Sequence, residues 1–369
     1  MPYYPKLKQS SLSTNVKKRT VTNLLKLKSQ LVKELPSKDL DKNLLLATWN
    51  IRDLGKNGAK HGNRNLEDLF YIAEIISNFD LIAVQEVNDL KEWETIMDIL
   101  GKDWDYIATD VSEFADGGNG ERMTFVFDKR KVWFKNIAGE IVLSRTKLIS
   151  ENIIAEDGVA KAYERQFSRT PFLVSFQSGW FRFDLCTVHI YFGEESGEKL
   201  KRRIKEIDSI AKEIGDRAVF SFKEKKQAVI LLGDFNIVHP EHDTMKALKK
   251  YKFDIPKNIE KPNNIKGDKY YDQIAIRSRD TKLIDFLNAP SQTPSSGIFK
   301  LYGEVMNSTD WLSFKAEMSQ TTEGKNMTTD AEFKKYFEEW KTYHLSDHKP
   351  MWVRIPIDMS GDYLNSIVG

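Results

Sequence analysis

The sequence predicts an α/β fold, and three observations predict it. A strand–helix–strand–helix series opens at Leu44, the chain turns β-rich after Trp104, and a long amphipathic helix leads straight into the apolar run "AVILL" at 228–232. With 369 residues and 40% hydrophobic content there is ample material for a packed core. No internal repeat or long linker interrupts it, so one catalytic-size domain, 41–369, is expected behind a basic arm, 1–40. Charged residues make up 30% of the chain, with a formal net charge of +2. That balance excludes a wholesale nucleic-acid-coating protein and leaves room for a local basic surface. The single cysteine, Cys186, cannot form an internal disulfide, so the fold does not rely on an oxidising compartment. No leader-like apolar region opens the chain, and no segment reaches the roughly 18 apolar residues that span a bilayer. A cytoplasmic protein without membrane insertion is the expectation.

Taken in order, the arm carries nine Lys or Arg against two Asp or Glu. It reads as a solvated, partly disordered leader ending in a short helix, "NLLKLKSQLVKEL", or as a basic arm that touches an anionic partner. "LLLATWNI" is a strand, and "NLEDLFYIAEIISN" is a helix with Leu66, Leu69, Phe70, Ala73 and Ile76 on one face. "LIAVQEV" is the next strand, followed by the helix "KEWETIMDILG" with Gly101 as its C-cap. "RMTFVFDKRKVWFKNI" reads as two strands joined at Asp128-Lys129-Arg130. "PFLVSF" and "FRFDLCTVHIYF" are strands around Gly179. The helix "KLKRRIKEIDSIAKEIGDRAVFSF" precedes "AVILL", and "YYDQIAIRS" and "KPMWVRIPI" are late strands. Residues 288–345 are polar and turn-rich before a helix at "DAEFKKYFEEWKTY", and read as an insertion on the edge of the core.

Several strands end alike. "LLLATWN" finishes in Asn50, "LIAVQE" in Glu86, "DLCTVH" in His189, and "VILLGDFN" in Asp234 and Asn236. "YYDQIAI" opens near Asp272, and "LSDHKPMWV" is preceded by Asp347 and His348. Each alone is ordinary, and Gly-Asp-Phe-Asn by itself is an Asx-turn signal. Together they describe a polar pocket on the rim of a sheet. Alternate residues of a strand point the same way, which would aim Asp234 and Asn236 at one point. Oxygen donors without a Cys–His cluster suit Mg²⁺ or Mn²⁺ rather than zinc. Two histidines with carboxylate partners suit proton transfer near neutral pH. A divalent cation, imidazoles and an arginine together would polarise a phosphodiester and activate water. No Gly-x-x-x-x-Gly-Lys-Ser/Thr loop is present to support nucleotide-driven phosphoryl transfer.

The ordered series "TWN", "QEV", "GERMTFVFD", "FSRTP", "VHIYFG", "GDFN", "YYDQIAI" and "SDHKP" resembles the endonuclease/exonuclease/phosphatase superfamily over about residues 44–357. Within it, the chain looks most like deoxyribonuclease I and its bacterial relatives. The resemblance implies a four-layer αββα sandwich, with two mixed sheets face to face and helices outside. It implies Glu86 as the main Mg²⁺ ligand, helped by Asn50, with Asp347 supporting the metal side. Asp234 and Asn236 would hold the metal, the attacking water or the scissile phosphate. His189 would pair with Glu121 and His348 with Asp272 as the two acid–base imidazoles, and Arg169 would bind phosphate. Which imidazole is base and which acid stays open, as does the number of metal ions.

DNA is the favoured substrate. A sphingomyelinase-like or inositol-phosphate hydrolase keeps the chemistry and changes the substrate, and a non-catalytic binding protein on the same fold is a distant third. Three departures bear on DNA. Asn88 follows "QEV" where deoxyribonuclease I has arginine, Asn119 replaces a tyrosine that stacks in the minor groove, and the disulfides of the secreted enzyme are absent. Compensation would have to come from the arm, from "KLKRR" at 199–203, or from basic segments at 249–268, for which a plain surface role competes. "HPEH" at 239–242 shows only two metal-type ligands. "DGGNG" reads as a hairpin tip or a phosphate nest. His61 and His344 have no argued partner, and Trp49, Trp93, Trp104 and Trp352 read as core.

Overall fold

A computed structural model describes residues 2–56, 58–111, 120–154 and 160–368. Two sheets carry the architecture. The first has six strands in the order β12-β13-β1-β2-β4-β3: β1 (Asn43–Leu54), β2 (Leu81–Val87), β3 (Trp104–Ala108), β4 (Arg122–Asp128), β12 (Ser296–Ile298) and β13 (Met351–Pro356). The second has five, β11-β10-β9-β8-β5: β5 (Trp133–Glu140), β8 (Phe172–Ser178), β9 (Phe181–His189), β10 (Ala228–Asp234) and β11 (Asp272–Ser278). A two-stranded ribbon, β6 (Ile149–Ile154) and β7 (Ala160–Arg165), stands apart. Each large sheet holds one parallel pair, β1 with β2 and β9 with β10, among antiparallel neighbours.

The alternation of side chains along β1 shows why two layers meet here. Leu44 and Leu46 enter the core shared with the second sheet, while Leu45, Ala47 and Trp49 enter the core under the helices. On that outer side lie α4 (Leu66–Ser77), α5 (Leu90–Leu100) and α10 (Asp330–His344), and behind the second sheet lie α6 (Gly197–Lys223) and α7 (Asp243–Lys249). The result is a four-layer αββα sandwich.

Three local expectations change. The strands either side of Asp128-Lys129-Arg130 are β4 and β5, but they belong to different sheets, so the turn carries the chain across the sandwich and closes no hairpin. Its carboxylate is committed to that crossing: Asp128 Oδ1 accepts from Arg130 Nε at 2.8 Å. The arm is not a solvated leader with a short terminal helix. It forms α1 (Pro5–Gln9) and a 21-residue helix, α2 (Thr14–Glu34), that buries Leu24, Leu27 and Leu31. Arg19 of α2 pairs at 2.6 Å with both Glu67 of α4 and Glu317 of α9 (Lys315–Met318). Because α2 covers the side of α4 turned from the sheet, α4 is buried nearly all round rather than on one face. The insertion is polar in composition yet packed, with Phe299, Leu301, Phe314 and Met318 joining Phe337 and Trp340 of α10. Among the described residues the remaining α-helices are α3 (Gly58–His61), α8 (Thr281–Asn288) and α11 (Ser360–Val368). Among the described residues no helix is long and apolar enough to cross a membrane.

Candidate active site

The two parallel pairs point their C-terminal ends to one rim, and register does the rest. Across the second sheet, Asp234 of β10 sits opposite His189 of β9 on one side and Asp272 of β11 on the other. Gly233 makes that close approach possible. Its φ is +129°, and a Cβ there would meet the Val188 carbonyl oxygen at 2.1 Å. From the first sheet, Asn50 and Glu86 face this row. Glu86 shares strand parity with Ile82 and Val84, which enter the core under the helices, so a regular strand would turn it away. A register shift between Val84 and Val87, with Glu86 at φ +64°, re-aims the carboxylate into the site.

The distances converge. Asn50 Nδ2 donates to Glu86 Oε1 at 2.8 Å and to Asp234 Oδ2 at 3.1 Å, tying the two sheets through one amide. His189 Nδ1 lies 2.5 Å from Glu121 Oε1, and its Nε2 lies 3.8 Å from Glu86 Oε1 and 3.6 Å from Asp234 Oδ2. His348 Nδ1 lies 2.7 Å from Asp272 Oδ2, and its Nε2 lies 3.8 Å from Asp234 Oδ2. Both imidazoles therefore have one nitrogen held by a buried carboxylate and the other turned toward Asp234. Arg169 Nε stands 2.7 Å from Glu121 Oε1, behind the His189 pair.

Electrostatics follows from crowding several carboxylates out of water. Burial raises the Glu86 carboxyl above its ordinary range; His189 opposes this, while Glu121 and Asp53 add to it. Burial and Arg169 work against the charged form of His189, but Glu121 and Asp234 outweigh them and its pKa rises. Burial also opposes charge on His348, yet Asp272, Asp234 and Asp347 raise it well above the usual histidine value. The donor set fits a hard divalent cation. Glu86, Glu121 and His189 bring ligand atoms within 4.8 Å of one another, and so do Asp234, Asp272 and His348.

Three expected residues have further contacts of their own. The Asn50 carbonyl oxygen accepts from the Arg52 amide at 2.9 Å, which fixes the amide's orientation and turns its N–H groups toward the carboxylates. Asn50 thus bridges Glu86 and Asp234 as a donor. Asp347 belongs to neither carboxylate–histidine group. Its side chain is 40% exposed and faces Arg52 Nη1 at 3.4 Å. Asn236 follows β10 at φ +51°, so the period of two does not reach it. Its backbone N–H binds Asp234 Oδ1 at 2.9 Å in an Asx turn, and its side chain donates to the Ile190 carbonyl at 2.8 Å.

Sequence reasoning passed over several residues that build the rim. Arg64 is buried and donates from Nη2 to the carbonyls of Ile51 at 2.6 Å and Arg52 at 2.7 Å, shaping the turn after Asn50. Arg203, read as part of a basic surface stretch, is buried and donates from Nη1 to the Asn236 carbonyl at 3.1 Å. Gln85 donates to Thr187 at 2.9 Å and Thr48 at 3.1 Å between the sheets, directly beneath the site. A glutamine inside the apolar run "LIAVQEV" was the one visible signal.

The remaining basic candidates are largely engaged: Lys199 with Glu194, Lys201 with Glu198, Lys250 with Asp208 and Lys269 with Glu195. Of "HPEH", His242 caps α7 by accepting from the Thr244 amide at 3.2 Å, and His239 meets the Tyr270 ring edge-on. His344 Nδ1 finds Asp68 Oδ2 at 2.7 Å. Trp49, Trp93, Trp104 and Trp352 are buried. Asn119 and most of "DGGNG" lie outside the described residues.

No family profile and no curated protein matches the sequence. Solved structures do. An endonuclease/exonuclease/phosphatase family protein from Bacteroides thetaiotaomicron is 16% identical over 86% of this chain and 98% of its own, at a TM-score of 0.48. A mannosyl-6-phosphatase from the same species is also 16% identical, over 85% of this chain and 99% of its own, at 0.47. A D. rerio TDP2, complexed with single strand DNA product, is 13% identical over 85% and 99%, at 0.48. Likeness at this level accompanies the sheet order and adds nothing about substrate.

Proposed function

We propose that the chain is a divalent-metal-dependent phosphodiester hydrolase of the endonuclease/exonuclease/phosphatase type, and that its substrate is DNA. The observation that supports this reading best is the pair of carboxylate-held imidazoles on either side of Asp234, at 3.6 and 3.8 Å. In this reading Glu121 and Asp272 fix the tautomers of His189 and His348, so that each Nε2 can take or give a proton at the phosphate. Glu86 would hold Mg²⁺ or Mn²⁺ together with Asp234, and the cation would neutralise charge on the phosphoryl oxygen. Asn50 would keep those two carboxylates apart and aligned. Asp234 would orient the attacking water, the Asx turn at Asn236 would keep it aimed, and Arg169 would hold phosphate from the Glu121 side.

A second reading, a sphingomyelinase-like or inositol-phosphate hydrolase, draws support from one observation. Several of the lysines available to track a DNA backbone, among them Lys199, Lys201, Lys250 and Lys269, are bound to neighbouring acids. The test is a Mg²⁺-dependence screen of purified protein on plasmid, single-stranded DNA, RNA, sphingomyelin and phosphoinositides. Nicked plasmid is the expected result, abolished in His189→Ala with circular dichroism unchanged. Intact plasmid beside a turned-over lipid or inositol phosphate moves the assignment to the second reading.

A further inference from the structure

Arg52 follows Asn50 by two residues at φ +53°, a left-handed conformation that turns its side chain out of the strand. It lines a cavity of about 670 Å³ beside the candidate site, with Tyr271 and Thr342, where Lys266, Lys269 and Lys335 alternate with Asp268, Glu338, Glu339 and Asp347. Tyr271 in turn stacks on His348, with ring centroids 5.4 Å apart, so this cavity opens on the His348 side of Asp234. A long flexible cation at such a lip would ordinarily be mobile and pay entropy on binding. This one is built in. Its guanidinium carbon lies 3.7 Å from the centroid of the Tyr343 ring, and Nη1 donates to Thr342 Oγ1 and faces Asp347. The Tyr343 ring is backed by the His61 ring at 3.8 Å and an interplanar angle of 9°. Burial, with Lys60 and Arg52 in the same sense, lowers the His61 pKa against the pull of Glu339, so a neutral ring completes the stack.

We propose that Tyr343 and His61 are positioning residues that hold Arg52 as a fixed anion-binding group for the part of the substrate beyond the scissile phosphate. This rests on the hydrolase reading. It also gives the polar insertion a role, because Tyr343 and Thr342 come from α10 at its end. Planar stacking suits arginine, because it leaves the in-plane N–H groups able to meet an oxyanion; lysine has no equivalent geometry.

The experiment is steady-state cleavage of a labelled duplex oligonucleotide with Mg²⁺. Arg52→Ala and Tyr343→Ala should each raise KM about ten-fold while kcat stays within about two-fold, as expected for loss of one charge-assisted contact made equally in ground and transition state. The double variant should be no worse than Arg52→Ala, because Tyr343 acts only through Arg52. Tyr343→Phe keeps the ring and should restore wild-type KM, which separates positioning from a folding defect. His61→Ala should raise KM about three-fold. Additive effects in the double variant, or an unchanged KM in Tyr343→Ala, overturn the proposal while leaving an active hydrolase. A wild type that cleaves no phosphodiester overturns the hydrolase reading and this one with it.

Discussion

The two imidazole–carboxylate pairs look alike and sit in different fields. His189 and Glu121 have Arg169 behind them, 2.7 Å from the shared carboxylate. Among the described residues no cation is paired with Asp272 in this way; Asp347 adds its charge to that of Asp234, which both imidazoles share. Both imidazoles are raised, His189 against the opposing charge of Arg169. The difference teaches that similar carboxylate partners do not make equivalent proton donors. The groups one step farther out shape the field at each proton as much as the carboxylate it touches.

The largest test removes what the two pairs share. Asp234→Ala should lower kcat by about 10³-fold or more, since it takes away the group both Nε2 atoms face. A residual rate within ten-fold of wild type in a plasmid-nicking time course would break the comparison at its centre. Next, Glu121→Gln and Asp272→Asn keep shape and remove the holding charge. Each should cost about 10- to 100-fold in kcat, and equal losses with unchanged pH profiles would show that the field difference is without consequence.

A third test reads stability against pH. Glu86, His189 and His348 all have folded-state pKa values above their unfolded ones, and Asp272 is pushed up to about 6 by burial against the pull of His348. The native state therefore holds protons that the unfolded chain has released. Stability from these groups is complete at acid pH and declines as pH rises through the raised values. The metal-free Tm should fall between about pH 5 and 8, and Mg²⁺ should restore it more at pH 8 than at pH 5.5, by differential scanning fluorimetry. A Tm that climbs with pH in the presence of chelator would contradict the assignment. The smallest effect is the most specific. Arg169→Gln should move the His189 titration upward, followed by NMR of the ring protons, because it deletes a cation that opposes imidazolium.

How much of this was legible in the chain differs element by element. Apolar runs and the 3.6-residue period were enough to locate β1, β2, β10 and α4, since burial writes itself into hydrophobic pattern. Motif order indicated Glu86, where pattern alone points the wrong way because a bulge reverses its face. The arm's helix was legible but its burial was not, because a lysine-rich stretch looks solvated until its leucines find α4, a partner far along the chain. Asp128 looked like a hairpin turn because local turn chemistry is blind to which sheet receives the next strand.

By itself, the amino-acid order determined the donor chemistry: carboxylates, amides and imidazoles at strand ends, without thiols, on strands apolar enough to be buried. Tertiary structure alone decided how those groups face one another. It made Asn50 a bridge between carboxylates, gave Asp347 to Arg52, and set Arg169 behind only one of two histidines. The physical reason is range. Hydrophobic periodicity is a property of neighbours in the chain, whereas the field at a proton and the aim of a side chain are set within a few ångströms by residues up to about 300 positions away.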